Sequence, residues 1–155
     1  MNAREVFEKR LRQAVRASAR EVQEYAQENH RFTSKTGELE RAIDVRQVSD
    51  FTAEVYIDSN AANYGPFVHN GTKAHIIRPK VKKALRWVPQ GGNAFIFARR
   101  VRHPGTRSDP FLYKALEAKQ EAIKGIFSKA VNVALDDIAN SVISDTKSIN
   151  IKIKL

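Results

Sequence analysis

The sequence predicts an α+β domain in which an antiparallel β-sheet of about four or five strands packs against two long helices, one N-terminal and one C-terminal. Two observations carry this. Residues 4–30 and 111–138 place apolar side chains at spacings of three and four, the period of a helix with one buried face. Between them lie two pairs of short segments with alternating apolar and polar residues around turn signals, the pattern of hairpins. Residues 1–143 are expected to form one domain, and residues 144–155 a strand-like C-terminal arm.

In the first helix Phe7, Leu11, Ala14, Val15, Ser18, Val22, Tyr25 and Ala26 mark the buried stripe, while Lys9, Arg10, Arg12, Arg16 and Arg20 share a solvated face. Thr33, Ser34 and Thr36 then offer helix caps before a brief turn around Leu39 and Ala42. "DVRQV" and "FTAEVYI" read as a hairpin, with Phe51, Ala53, Val55 and Ile57 on one face and Thr52, Glu54 and Tyr56 on the wet one. "NYGPFVHNGT" reads as a tight loop. Gly65 and Gly71 would supply unusual backbone angles, Pro66 would stiffen the turn, Tyr64 and Phe67 would anchor it on the sheet, and His69 and His75 would sit at its rim. "ALRWV" and "AFIFARRV", joined by "PQGGN", predict a second hairpin with Trp87, Phe95 and Phe97 in the core. Asp109 and Pro110 are expected to cap and open the last helix, with the stripe Leu112, Leu116, Ile123, Phe127, Ala130, Ala134 and Ile138. Ile149, Ile151, Ile153 and Leu155 alternate with polar residues, as in a strand seeking a sheet edge.

Charge is unevenly placed. The 155 residues carry a net charge of +10, and no acid lies between Asp58 and Asp109. That interval holds Lys73, Arg78, Lys80, Lys82, Lys83, Arg86, Arg99, Arg100, Arg102 and Arg107. The flanks nearly cancel, with ten basic against eleven acidic residues before it and seven against six after it. A field of this kind attracts an acidic partner, whether nucleic acid, membrane or the acidic face of a protein.

Several chemistries are disfavoured. The chain has no cysteine, hence no disulfide, thiol nucleophile or cysteine-ligated zinc. His69, His75 and His103 lack helical metal-site spacing, a nearby carboxylate and a non-repulsive surrounding, so neither a metal site nor an acid–base site is expected. The glycine-containing segments match no phosphate-binding loop and no serine sits in a nucleophile elbow. No catalytic residue, cofactor or metal is therefore assigned. No apolar run is long enough to span a bilayer and the first residues lack a signal-peptide core, which predicts synthesis and residence in the cytoplasm, with no membrane partner. A sequence-independent nucleic-acid contact through the acid-free residues 59–108, interleaved with Tyr64, Phe67, Trp87, Phe95 and Phe97, is the principal alternative reading.

"SKTGELERAI", "NYGPFVHNGT", "ALRWV" and "AFIFARRVRHPGTRSDPFLYKALE", taken in order, resemble the tail-component or neck family of long-tailed double-stranded DNA bacteriophages. The matching positions are Tyr64, Phe67, Gly71 and Thr72, then Trp87, then His103, Pro104, Gly105, Thr106, Pro110 and Phe111, within about Thr33 to Glu117. His69 and Asn70 precede Gly71 where that family often has a carboxylate, and the tail after Ile149 lies outside the shared stretch. The resemblance implies a non-enzymatic virion protein of the head–tail connection or tail completion, made in the host cytoplasm. Its partners would be itself, in a homo-oligomeric ring that is a hexamer before a dodecamer. Others would be the head-completion or connector and tail-terminator or tail-tube proteins, with non-specific contact to transiting double-stranded DNA. The docking loop and subunit interface would then be drawn from Tyr64, Gly65, Pro66, Phe67, His69, Gly71, Thr72, His103, Pro104, Gly105, Pro110 and Phe111. The ten cations would line a surface or channel, meeting acids such as Glu21, Glu24, Glu28, Asp136 or Asp137 of a neighbour.

Overall fold

A computed structural model describes residues 2–146. Helix α1 (Ala3–Glu28) opens on a reciprocal cap: Asn2 Oδ1 accepts from the Glu5 backbone N–H at 2.9 Å and Glu5 Oε2 from that of Asn2 at 3.0 Å. Ala14, Ser18, Ala19, Val22 and Ala26 form its buried face. Helix α2 (Glu38–Arg41) starts not from Thr33, Ser34 or Thr36 but from Gly37, whose left-handed backbone makes no side-chain cap. Strands β1 (Ile43–Ser49) and β2 (Thr52–Ile57) form the expected hairpin, with Val45 opposite Val55 and Ile43 opposite Ile57. Phe51 lies in the turn, half exposed, rather than on the inward face.

The stretch expected as a loop is a short helix, α3 (Gly65–Asn70), followed by strands β3 (His75–Ile77), β4 (Leu85–Trp87), β5 (Ile96–Ala98) and β6 (Val101–His103). The second hairpin is present as β4 with β5, and it is lengthened at its root by β3 with β6. The six strands make three two-stranded antiparallel sheets, β1–β2, β3–β6 and β4–β5, in place of the one continuous sheet anticipated. The ladder breaks because residues 78–84 on one side face only Arg99 and Arg100 on the other, which no regular register accommodates.

The last helical stretch is two helices. Helix α4 (Phe111–Ala118) ends at Lys119 and α5 (Gln120–Thr146) continues, its interior Gly125 tolerated as expected. Helix α5 lies antiparallel to α1, since Arg10 pairs with Asp137 at 2.6 Å and Glu21 with Lys119 at 3.0 Å. It also runs on to Thr146, past the point where the C-terminal arm was placed. The predicted strand Ile149 to Leu155 lies outside the described residues.

The core forms where α1, α2, β1 and α4 meet. Val22, Ala26, Leu39, Ala42, Ile43, Ala62, Phe111 and Ala115 are buried there, with Phe32, Val55, Ile57, Val68 and Ile123 packed around them. Phe111 is the largest fully buried side chain. The α+β class and the two long helices at either end of the chain are as read from the sequence.

Candidate functional site: a basic arm and an apolar cleft

Residues 72–106 leave the body as one antiparallel arm. Its root is closed by paired backbone hydrogen bonds between Thr72 and Thr106, at 2.9 and 3.1 Å. Gly71 and Gly105 flank this closure with φ of 74° and 94°, and a Cβ at either would run into the backbone of the opposing chain. Gly65 does not share that conformation. It is required for close approach instead, since a Cβ there would stand 2.5 Å from Ile57 Cγ2 and 2.8 Å from Leu39 Cδ1.

No residue of the arm is buried. All ten expected cations, from Lys73 to Arg107, are exposed. None of them takes part in the ion pairs of the described residues, which tie the body to itself through Arg10–Asp137, Arg12–Asp50, Arg46–Glu54 and Lys119–Glu21. Glu21 and Asp137, expected to meet a neighbour's cations, are thus engaged within the chain. Within the arm, His75 and His103 face each other with ring centroids 5.1 Å apart, and Ile77 faces Val101. Among the described residues no group of three or more histidine or carboxylate side chains is arranged to hold a metal ion.

The aromatic residues expected in the core are on this arm and uncovered: Trp87 is 37% exposed, Phe95 55% and Phe97 65%. The register explains it. Leu85–Ala98 and Trp87–Ile96 point to one face of the ribbon and Arg86–Phe97 to the other, and neither face has a second layer to pack against. Arg86 lies over the Phe95 ring at 4.4 Å. The arm is therefore cationic and apolar at once, a combination that water does not favour at this extent.

At the arm's root α3 meets α4. Tyr64 and Phe67 are exposed rather than anchoring anything, while Pro66 stands in the first turn of α3. Phe111 and Gly65, expected at a docking surface, are inside the body. Pro110 precedes α4 without capping it by a side chain. Asp109 is buried and serves a different purpose from a cap: its Oδ2 accepts from the backbone N–H of Arg31 at 2.6 Å and of Phe32 at 3.1 Å, and its Oδ1 from Lys114 Nζ at 2.9 Å. Burial alone would raise its pKa. The hydrogen bonds from Lys114 and from Arg31 outweigh it and hold the carboxyl down to about 2.

His69 is not at a rim either. It is 7% exposed, with its ring edge-on to Phe111 and Tyr113. Its Nδ1–H donates to Asn70 Oδ1 at 3.0 Å, which leaves Nε2 as an acceptor without a partner. The second such atom is Ser18 Oγ of α1. Both residues line one cleft of about 510 Å³ whose other walls are mostly apolar, among them Val22, Val55, Leu112, Leu116 and Phe127, while the two unpartnered atoms lie buried behind its surface. Ser18 and Leu116 were read as members of helical stripes. The signal that set Ser18 apart was its hydroxyl on an otherwise apolar face, and only the fold showed that the residue lines a cleft.

No helix among the described residues is long and apolar enough to cross a membrane. Comparison with protein-family models, with curated proteins and with solved structures finds no match in any of the three.

Proposed function

We propose that this chain is a non-enzymatic structural protein of the bacteriophage neck. In this reading it assembles as a homo-oligomeric ring on the phage axis, between the portal connector and the tail. The observation that carries the reading is the uncovered arm. A body that satisfies its own ion pairs carries a ribbon with nine of the ten cations and exposed aromatic and aliphatic side chains, which supports a subunit completed by its neighbours. The family resemblance of residues 33–117 supplies the place in the virion, and heterologous contacts between identical subunits close into rings.

Light scattering at low and high salt, with and without duplex DNA, tests this, followed by electron microscopy of the assembled species. A ring with an axial channel that forms without DNA is the expected result. The same arm also favours a second reading, a sequence-independent nucleic-acid-binding protein. That reading requires a monomer whose DNA affinity falls steeply with salt. Such a result would overturn the neck assignment.

A further inference from the structure

The arm and the cleft have complementary chemistry. The cleft is lined mostly by apolar side chains, and two polar atoms of its lining residues, His69 Nε2 and Ser18 Oγ, are buried behind that surface without a partner. At about 510 Å³ it is within the range, roughly 300–1,000 Å³, of sites that enclose a bound group. The arm carries the chain's only tryptophan, Trp87, whose indole N–H is a donor with no acceptor of its own and whose ring is flanked by Ile96 and Leu85 on the same ribbon face. A chain's own arm does not deliver Trp87 to its own cleft. Trp87 is not among the residues that line the cleft of its own chain, and the arm's root is held beside His69 by the Ser108 hydroxyl bond to the His69 carbonyl at 2.9 Å. A neighbour's arm has no such constraint.

Charge points the same way. Residues 2–71 and 108–146 hold fourteen basic and seventeen acidic side chains, whereas residues 72–107 hold ten basic and none acidic. Glu117, exposed on α4, and Glu24 and Glu28 on α1 take part in none of the described ion pairs. Lys82, Lys83 and Arg86 precede Trp87 and would arrive with it. Nucleic acid would satisfy the cations but not the exposed Ile76, Val81, Val88 and Ile96, nor the apolar walls of the cleft.

We propose that the arm of one copy docks in the cleft of the next, with Trp87 entering the cleft. The occupant is a second copy of this chain, and the contact is head to tail, between different faces of identical subunits. This deepens the ring reading above by naming its contact.

Because Trp87 is the sole tryptophan, its emission reports the contact directly. On raising the concentration of the whole protein, the emission should move to shorter wavelength in step with the mass. Trp87→Ala on the arm and Leu116→Lys at the cleft, where the leucine is 49% exposed, should each keep the helical circular dichroism and weaken association by roughly tenfold or more. Mixing the two variants should restore one contact only, giving a dimer and nothing larger, since one copy brings an intact arm and the other an intact cleft. Trp87→Phe, which keeps an aromatic ring but a smaller one, should fall between Trp87→Ala and the natural chain. The proposal is overturned if Trp87→Ala assembles normally, if Trp87 stays in water within the assembly, if the protein is monomeric throughout, or if the emission moves only on adding duplex DNA. A ring that survives Trp87→Ala would sink the contact and spare the neck reading. A Trp87-dependent assembly that is not a ring would do the reverse.

Discussion

Asp109 shows how a single side chain can hold two distant segments together. The turn after α1 presents two backbone N–H groups, those of Arg31 and Phe32, and the carboxylate just before α4 accepts both. Replacing it with alanine strands these donors while Lys114 and Arg31, each about half exposed, turn to water. The expected loss is about 2–3 kcal/mol in urea unfolding, and less for Asp109→Asn, which keeps one carbonyl oxygen. The pH dependence has a fixed sign. A folded-state pKa of about 2, below the ordinary 3.8, means that the carboxylate's contribution is complete above about pH 4 and is lost as the pH falls toward 2. Acid titration of the natural chain and Asp109→Asn should therefore converge in that window.

Among the elements, the arm departs furthest from ordinary packing. Trp87, Phe95 and Phe97 have the residue types and alternation of a core strand, and in a core each truncation would cost about 3–5 kcal/mol. In the fold their strands pair only with each other, so they have a ladder but no layer. Trp87→Ala and Phe97→Ala should accordingly shift the unfolding free energy of the dilute, monomeric protein by no more than about 0.5 kcal/mol. Phe111→Ala, at a fully buried ring packed against Phe32 and His69, should lose about 3–5 kcal/mol in the same urea titration. Equal losses at Trp87 and Phe111 would contradict the exposed arm.

For the molecule as a whole, body and arm are separable. The core cluster draws on no residue from 72 to 106, and Thr72 and Thr106 already face each other in an antiparallel bridge. Joining them through Asn-Gly, a two-residue hairpin turn, should leave one cooperative unfolding transition within about 1 kcal/mol of the natural chain. The excision removes nine of the ten arm cations, all but Arg107. The shortened protein should therefore leave a heparin column at much lower salt and should remain monomeric. A body that fails to fold without the arm would show that the arm contributes to the core after all.

The two long helices, the β1–β2 hairpin, the pairing of "ALRWV" with "AFIFARRV" and the acid-free span were legible in the sequence. Each rests on local periodicity, turn chemistry or charge counting, which neighbouring residues decide among themselves. What periodicity cannot carry is whether an apolar face finds a second layer. Tertiary structure alone decided that Trp87, Phe95 and Phe97 stay in water and that the strands divide into three ribbons. It also decided that "GPFVHN" winds into a helix burying His69 against Phe111, and that Ser18 and His69, fifty-one positions apart, line one cleft. Burial is a property of what comes to lie opposite a residue, and that is set by contacts between segments far apart in the chain.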